Sequence, residues 1–352
     1  VSFFPQIIQG PISRHDQLAH QLYEPHAFDY QRLKLGLQLM LWGFFKKLVI
    51  ADRAVILVEQ VFSNTGDYRG MQFFIAALVY SIQVYCDFSG GIDIARGTAQ
   101  VIGIDMTNNF ERPFFATSLS DFWRRWHITL GAWMRDYLFY PLALSKAFNT
   151  LGKKAKQWFG PHVGKVLPTS MITVMVFTVV GIWHGASWKY VAYGLYYGGL
   201  IGLSVLLSPL TKKANEFLKI NSERFWWRLF QVLRTIFLVT IGRILIRADG
   251  LMSALKIIKS IFTTWNPRAI LDGSFYYSMG LDMPEIVLLV VCVMVLIVTE
   301  YMQEKGVRIR AALQKQNVLL RWAVIWAGMY AILIFGMYGP KYNAVDFIYM
   351  GF

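Results

Sequence analysis

Long apolar runs, bounded by charged residues or by glycine and proline, dominate the second half of the chain. A helix needs about 20 largely apolar residues to cross a lipid bilayer. Runs of roughly this length predict five membrane-spanning helices, at residues 168–184, 190–209, 229–246, 285–300 and 322–338. The pattern therefore predicts an all-α protein that crosses a membrane several times.

The first half is also apolar, but charged residues interrupt its runs. The segment 34–62 contains four of them: Lys46, Lys47, Asp52 and Arg53. The run 71–90 ends in Asp87 and the pair Gly90-Gly91. Because charge is costly within lipid, these interruptions predict broken or re-entrant helices.

The composition favours a membrane protein over a soluble one. The 352 residues are 55% hydrophobic and 16% charged, whereas soluble domains contain about 25% charged residues. A soluble domain of this size needs a charged surface to stay dispersed. Cys86 and Cys292 lie far apart inside apolar segments, which is typical of small buried side chains rather than of a disulfide or metal framework.

The formal net charge of +14 comes from short basic stretches between apolar runs. This arrangement argues against a nucleic-acid partner, which favours a continuous basic face, and fits the positive-inside rule of membrane insertion. Basic residues precede the first of the five spans at 146–165, follow the second at 212–228, and follow the fourth at 305–321. If every span crosses once, these three loops lie on the cytoplasmic side, and His184 lies toward the outer end of its helix.

A polar and aromatic segment runs from residue 108 to residue 140. Ser118 and Asp121 have the spacing of a capping-box start. Five residues then recur at helical spacing: Phe122, Trp126, Thr129, Trp133 and Tyr137. The segment therefore predicts a helix with an aromatic face and an arginine-rich face.

Two interpretations of this helix stay open. It is an interfacial helix whose arginines bind lipid phosphate, or it is a wall of a reaction chamber in which Arg124, Arg125 or His127 faces an anionic substrate. For His127, the residues themselves favour a structural, hydrogen-bonded role.

The segment 181–188 ends a strongly apolar span and contains His184. An imidazole is costly to bury unless it stays neutral and hydrogen-bonded, and a neutral imidazole of near-neutral pKa is a ready general base. A lone histidine in a helical membrane protein is nevertheless more often a packing residue. Glycine allows close approach of a substrate and tryptophan walls a narrow pocket, so the residues beside His184 favour a function without deciding it.

Several common chemistries lack their sequence signatures. The chain has no Gly-x-Ser-x-Gly elbow, phosphate-binding loop, dinucleotide fingerprint, His-Glu-x-x-His or Cys-x-x-Cys. His127 and His184 could share a metal ion, but no third ligand has a suggestive spacing. The sequence therefore predicts no metal site.

At these segments the sequence resembles the membrane-bound O-acyltransferase family. Within it, the similarity is to the bacterial branch of alginate O-acetylases, peptidoglycan O-acetyltransferases and the teichoic acid D-alanyl transfer protein. Seven matches run in family order along the chain: Phe4-Pro5-Gln6 with Gly10-Pro11-Ile12, Tyr85-Cys86-Asp87-Phe88-Ser89-Gly90, Asn109-Phe110-Glu111-Arg112-Pro113, Phe122-Trp123-Arg124-Arg125-Trp126-His127, Trp133-Met134-Arg135-Asp136-Tyr137, Trp183-His184-Gly185 and Phe347-Ile348-Tyr349. Seven ordered matches are far more specific than any one of them.

The resemblance implies a transmembrane helical bundle, with re-entrant and interfacial helices, around a central funnel. Its Trp-His-Gly histidine maps onto His184, at the narrow point where a cytoplasmic thioester donor would meet an outward-facing hydroxyl. Its Arg-Trp-His segment maps onto Arg125, Trp126 and His127. The resemblance makes His184 and His127 the catalytic candidates, and it gives six substrate-binding candidates: Trp183, Arg125, Trp126, Arg124, Asp87 and Tyr197.

The sequence departs from its relatives at two places. They often carry a second histidine where Tyr197 stands, and the alginate-type branch has a short glycine-rich loop where this chain has the basic stretch 145–165. Family members usually begin with additional membrane helices, and this sequence opens at Val1. Residues 1–352 are therefore predicted to form a single membrane domain that lacks its N-terminal helices.

The function implied is O-acetyl transfer to hydroxyls of an exported cell-envelope polysaccharide, directly or through a partner acyltransferase protein, in the bacterial plasma membrane. The donor would be acetyl-CoA or an acyl carrier protein, as a substrate rather than a bound cofactor. Transfer of D-alanine or another acyl group to a cell-wall polymer is the alternative within the family. A rival of another class is a transporter of an acylated lipid or glycan, which would line its pathway with the same polar residues.

Overall fold

The computed structural model of the chain describes residues 3–7, 9–271 and 273–339. Within these ranges every regular element is a helix and no strand occurs. The prediction of an all-α protein is therefore confirmed. The match Phe347-Ile348-Tyr349 lies outside the described residues.

The helices follow one another with short connections. In chain order they are α1 (His15–Tyr23), α2 (Tyr30–Phe44), α3 (Asp52–Ser63), α4 (Met71–Val101), α5 (Leu119–Arg125), α6 (Ile128–Met134), α7 (Tyr140–Leu144), α8 (Lys146–Trp183), α9 (Trp188–Leu206), α10 (Ser208–Phe217), α11 (Phe225–Arg247), α12 (Gly250–Thr263), α13 (Arg268–Leu271), α14 (Ser274–Ser278), α15 (Met283–Glu304), α16 (Ile309–Gln314) and α17 (Val318–Phe335). Short 3-10 turns occupy Phe4–Gln6 and Pro113–Phe115, and π-helical segments occupy Phe45–Ala51 and Arg135–Phe139.

These helices belong to two compact units. The first unit combines Val1–Arg112 with Ser260–Phe352, and the second is Pro113–Lys259. The first therefore holds α1 to α4 and α13 to α17, while the second holds α5 to α11. Helix α12 begins in the second unit and its last residues belong to the first.

Five helices of the described residues are long and apolar enough to cross a membrane, namely α4, α8, α11, α15 and α17. Helices α9 and α10 meet at an angle of 61° and add a sixth crossing if they form one bent span. The five spans predicted for the second half fall on α8, on α9 with α10, on α11, on α15 and on α17. The prediction of these spans as helices is confirmed, and α4 adds one from the first half.

The interrupted segment 34–62 is helical throughout, although a break was predicted there. Helix α2 passes into the π-helical segment, which leads directly into α3. Lys46 and Lys47 are buried in this segment, and their ammonium groups pair with Asp93 and Asp87 of α4. Because α4 compensates the charges, the helix changes its winding locally instead of ending.

Helix α4 continues to Val101, so its predicted end at Gly90-Gly91 was wrong. The glycines lie inside the helix, where α4 packs closely on α2. A Cβ atom placed on Gly43 would lie 2.7 Å from the carbonyl oxygen of Gly90. Small residues allow two membrane helices this close an approach, so Gly90 is a packing position rather than a helix terminus.

The basic stretch 145–165 was predicted to be a loop, and this was wrong because most of it is helical. Helix α8 begins at Lys146, and only Gly160, with φ 87° and ψ 174°, interrupts its helical backbone. Pro161 follows directly and restarts the helix, since proline is well tolerated in a first turn, where its missing N–H is not needed.

The second unit is built around α8. Helix α6 packs on α8 through an apolar cluster of Leu130, Met134, Ile172, Val176 and Val180. Helix α9 runs back along α8 and also packs against α11. This packing fixes the end of α8 close to α5, α6 and α11, where the candidate site lies.

Candidate active site

His127 lies at a break between two short helices. Helix α5 ends at Arg125 and α6 begins at Ile128, so the single helix predicted through this segment was wrong. His127 has φ 47° and ψ 54°, a left-handed conformation that costs a residue with a side chain about 1–2 kcal/mol. Its ring is nevertheless buried, with 7% of the side chain exposed. Such strain persists only where the surroundings hold it, and it is concentrated at functional sites.

His184 is the first residue after α8, where the chain turns toward α9. The turn depends on Gly185, whose φ of 151° places a hypothetical Cβ atom 2.5 Å from the ring of Tyr190. A larger residue would be both strained and in collision there. The ring of His184 is half-buried among aromatic rings, with Tyr193 at 5.8 Å and Tyr190 at 6.4 Å between centroids.

Trp183 joins the two histidines. Its ring lies 6.4 Å from the ring of His127 and 4.9 Å from that of His184. Both histidines lie outside the candidate spans, since His184 directly follows α8 and His127 lies between α5 and α6. Two sites predicted from separate stretches of sequence therefore come together in one unit.

The surroundings keep both imidazoles neutral at physiological pH. Burial, and then the charge of the neighbouring His184, lower the pKa of His127 to about 3. Burial, and then the positive charge of Arg243, lower the pKa of His184 to about 4. Each ring is thus in the neutral form that accepts a proton, as a base weaker than free imidazole.

Arg243 is a part of this site that the sequence analysis missed. It lies in α11 with 4% of its side chain exposed, and its guanidinium carbon is 4.2 Å from the centroid of the Trp126 ring. The sequence did contain a signal for it, because burying an arginine inside the apolar run 229–246 costs free energy and therefore indicates a function. Trp126, a predicted substrate-binding residue, is therefore the stacking partner of a buried cation.

A cavity of about 490 Å³ opens beside His127. Its lining includes Trp123, Arg124, Trp126 and His127, together with apolar side chains of α6 and α8. His184 does not line this cavity. The open space next to the histidine pair therefore begins at His127, on the side where the tryptophans and Arg124 lie.

The two predicted arginines differ in exposure. Ser118 caps α5 by accepting a hydrogen bond from the backbone N–H of Asp121, as predicted. The carboxylate of Asp121 pairs with Arg124 at 3.2 Å and with Arg125 at 3.3 Å. The side chain of Arg124 is 76% exposed and that of Arg125 is 20% exposed, so Arg124 is the more accessible of the two for an anionic ligand.

Tyr197 is fully buried and packs between helices. Its hydroxyl donates a hydrogen bond of 3.0 Å to the carbonyl of Val239 in α11, and its ring meets that of Trp123 at 5.0 Å. It does not line the cavity beside His127. A substrate contact for Tyr197 stays a prediction.

Asp87 belongs to the first unit, whereas the other predicted site residues belong to the second. Its carboxylate is buried and pairs with Lys47, which also pairs with Asp52 at 2.8 Å. A cavity of about 790 Å³ in this unit is lined by neighbours of Asp87, among them Lys46 and Asp93, but not by Asp87 itself. Its predicted role in substrate binding stays a prediction.

Metal ligands do not gather anywhere in the part of the chain that the structure describes. No group of three or more His, Cys, Asp or Glu side chains there could hold a metal ion.

Comparison with protein families gives a match over the first part of the chain. The model of the membrane-bound O-acyltransferase family matches residues 1–153. This range includes His127 and the segment Arg124-Arg125-Trp126 before it, whereas His184 lies beyond the matched residues.

Three similar proteins act on cell-envelope polymers according to their names. The peptidoglycan O-acetyltransferase of Helicobacter pylori is 32% identical over 74% of this chain and 45% of its own length. The probable alginate O-acetylase of Pseudomonas aeruginosa is 30% identical over 75% of the chain and 46% of its own length. The teichoic acid D-alanyltransferase of Streptococcus thermophilus is 28% identical over 63% of the chain and 51% of its own length.

The chain thus spans about half the length of the curated relatives that it matches. Its helices, the family match and these relatives agree, and the chain is a multi-pass membrane protein of the membrane-bound O-acyltransferase family.

Proposed function

We propose that the protein transfers an acyl group, in the first place acetyl, from a thioester to a hydroxyl of a cell-envelope polysaccharide. The single observation that carries this proposal is a pair of neutral imidazoles near a buried guanidinium, with His127 in the wall of a cavity and His184 on the other side of Trp183. The relatives named as O-acetyltransferases supply the substrate class. The donor is acetyl-CoA or an acyl carrier protein, and the site lies in the bacterial plasma membrane.

In this reaction His184 acts as the general base. The imidazole takes the proton of the acceptor hydroxyl while the hydroxyl oxygen forms a bond to the thioester carbonyl carbon. The resulting tetrahedral intermediate collapses as the carbon–sulfur bond breaks, and the leaving thiolate takes the proton from the imidazolium. The products are an ester and a free thiol. General-base help of this kind is worth about 10²- to 10⁴-fold in rate.

His127 supports the same reaction from the cavity wall. Its left-handed backbone and buried ring hold it in one position, and its ring contacts Trp183 beside His184. The ring is thus placed to orient the acceptor or the second imidazole. The exposed guanidinium of Arg124, which lines the cavity, is placed to attract an anionic part of a substrate.

The proposal is tested with the purified full-length protein, acetyl-CoA and an oligosaccharide of the host's envelope polymer. Mass spectrometry is expected to find acetyl esters with wild type and with His162→Gln, and about 10²- to 10⁴-fold slower ester formation with His184→Gln. His162 is a matched control, because it lies in α8, the helix that His184 directly follows, and its Nε2 atom lies 3.2 Å from the carbonyl oxygen of Leu206. Equal ester formation by His184→Gln would contradict the assignment of the base.

The same experiment separates the alternatives. D-alanyl transfer, favoured by the similarity to the teichoic acid D-alanyltransferase of Streptococcus thermophilus, would give alanyl esters when a D-alanyl thioester is supplied. A transporter would move an acylated glycan or lipid across vesicles without His184-dependent thioester turnover. Each outcome is distinguished by the mass of the product and by the dependence on His184.

A further inference from the structure

Among the residues that the structure describes, no carboxylate compensates the buried cation of Arg243. In the described ranges its Nε atom has no hydrogen-bond acceptor, and no carboxylate forms an ion pair with the side chain. Only 4% of the residue is exposed. A buried charge is normally paired, because leaving it alone is strongly destabilising. The guanidinium is therefore available to a binding partner outside the described residues.

Two further donors share this property, one in α11 with Arg243 and one in α5, the helix that Trp126 directly follows. Thr240 lies one turn earlier on the same face of α11, is fully buried, and its hydroxyl has no partner among the described residues. The indole Nε1–H of Trp123 is also buried and unpartnered there. The indole and the guanidinium have no acceptor atom of their own, so this group of residues suits a ligand atom that only accepts hydrogen bonds.

The position of Arg243 relates this group to the reacting histidine. The guanidinium stacks on Trp126, which directly precedes His127 and lines the cavity with Trp123. Its charge acts on His184. Gly242, the residue before Arg243, lies against the hydroxyl of Tyr197. The ring of Tyr197 makes an edge-to-face contact with Tyr193, and Tyr193 makes the same kind of contact with His184. The N–H groups of a guanidinium lie in its plane, so a ring stacked on its face leaves them able to donate hydrogen bonds to a ligand.

We propose that Arg243 binds the acyl carbonyl oxygen of the donor and stabilises the oxyanion that forms on it. This assignment rests on the proposed acyl transfer. As the acceptor oxygen bonds to the carbonyl carbon, the electron pair of the C=O π bond moves to the oxygen, and the acceptor proton moves to His184. The guanidinium donates hydrogen bonds to the negatively charged oxygen. When the intermediate collapses, the electron pair returns to re-form C=O and the carbon–sulfur bond breaks.

The charge of Arg243 acts mainly in the transition state. In the resting site it opposes protonation of His184, since an imidazolium would stand beside a guanidinium. When the oxyanion forms, its negative charge offsets both cations at once. An interaction that becomes favourable only as charge develops lowers the barrier rather than strengthening substrate binding.

Steady-state kinetics with acetyl-CoA test this assignment in three variants of the full-length protein. They are Arg243→Gln, Arg243→Lys and the control Arg228→Gln. Arg228 lies in the same helix with an exposed side chain. Arg243→Gln is expected to lower kcat by about 10²- to 10³-fold while the KM for the donor changes by less than about threefold. Arg243→Lys keeps the charge but not the planar fork, so a loss of about tenfold is expected. Arg228→Gln should behave as wild type.

The outcomes are distinct. A kcat of Arg243→Gln within about threefold of wild type, or a rise in donor KM with kcat unchanged, would overturn the assignment. If Arg243→Gln does not accumulate as folded protein, Arg243→Lys decides in the same way. Transfer that depends on His184 but not on Arg243 removes this inference alone. Absence of any His184-dependent transfer in wild type removes the proposed function and this inference together.

Discussion

His127 and His184 differ in how the backbone presents them, although both are kept neutral. His127 occupies a left-handed backbone position between two helices, while His184 continues the last turn of α8. Their proximity could not be read from the chain, because 57 positions separate them by number and only the packing of α6 on α8 brings them together. Sequence identified both residues as candidates, but not their common site.

Acid is expected to destabilise the protein through His127. Its folded pKa of about 3 lies below the ordinary 6.5, so the unfolded state binds the proton more readily between these values. The stability due to the neutral ring is fully present above pH 6.5 and is lost as the pH falls toward 3. His127→Asn tolerates the left-handed backbone and does not titrate.

This prediction is checked by thermal unfolding in detergent across that pH range. The melting temperature of His127→Asn should fall less steeply with acid than that of wild type, whereas the exposed control His20→Asn should follow wild type. If the melting temperatures of wild type and His127→Asn change identically with pH, the His127 ring is not the cause of the acid sensitivity.

At the scale of elements, the apolar runs predicted the membrane helices well and their ends poorly. Hydrophobic length is a local property, which is why α11, α15 and α17 lie where the pattern placed them. The continuation of α4 past Gly90 depends on α2 and on Lys47, and the break at His127 depends on what surrounds it. These are tertiary effects that override local pattern.

The close approach of α2 and α4 predicts a sharp sensitivity at Gly43. Gly43→Ala places a Cβ atom 2.7 Å from the carbonyl oxygen of Gly90, so the helices must separate. A loss of about 1–3 kcal/mol of unfolding free energy is expected for such overpacking. The control is Gly199→Ala in α9, where nothing lies within 4 Å of the added atom.

Unfolding of the two variants in mild detergent gives the comparison. Gly199→Ala should match wild type or exceed it, because alanine favours the helix over glycine. A Gly43→Ala protein as stable as Gly199→Ala would contradict the tight helix crossing.

At the scale of the whole molecule, the positive-inside rule orients the chain in the membrane. It places the basic segment 212–228 in the cytoplasm and the turn after His184 outside. The chain between Ala186 and Ser222 contains α9 and α10, which form one bent span and would cross the membrane once. The two positions are therefore expected on opposite sides of the membrane.

Cysteine labelling tests this orientation. Cys86 and Cys292 are buried and serve as a silent background, while Ala186 and Ser222 are exposed. Ala186→Cys should react with an impermeant maleimide on intact cells, and Ser222→Cys only in inverted vesicles. The reverse pattern would place His184 at the cytoplasmic end of its helix and would require a different route for the donor.

Acyl transfer by this site requires the imidazole of His184 as the group that accepts the proton, and chemical rescue measures this requirement directly. Acyl transfer by the purified full-length His184→Ala protein is expected to fall about 10²- to 10⁴-fold. Added imidazole should then restore the rate in proportion to its concentration, without effect on wild type. Transfer by His184→Ala within about threefold of the wild-type rate, with no imidazole present, would contradict the account.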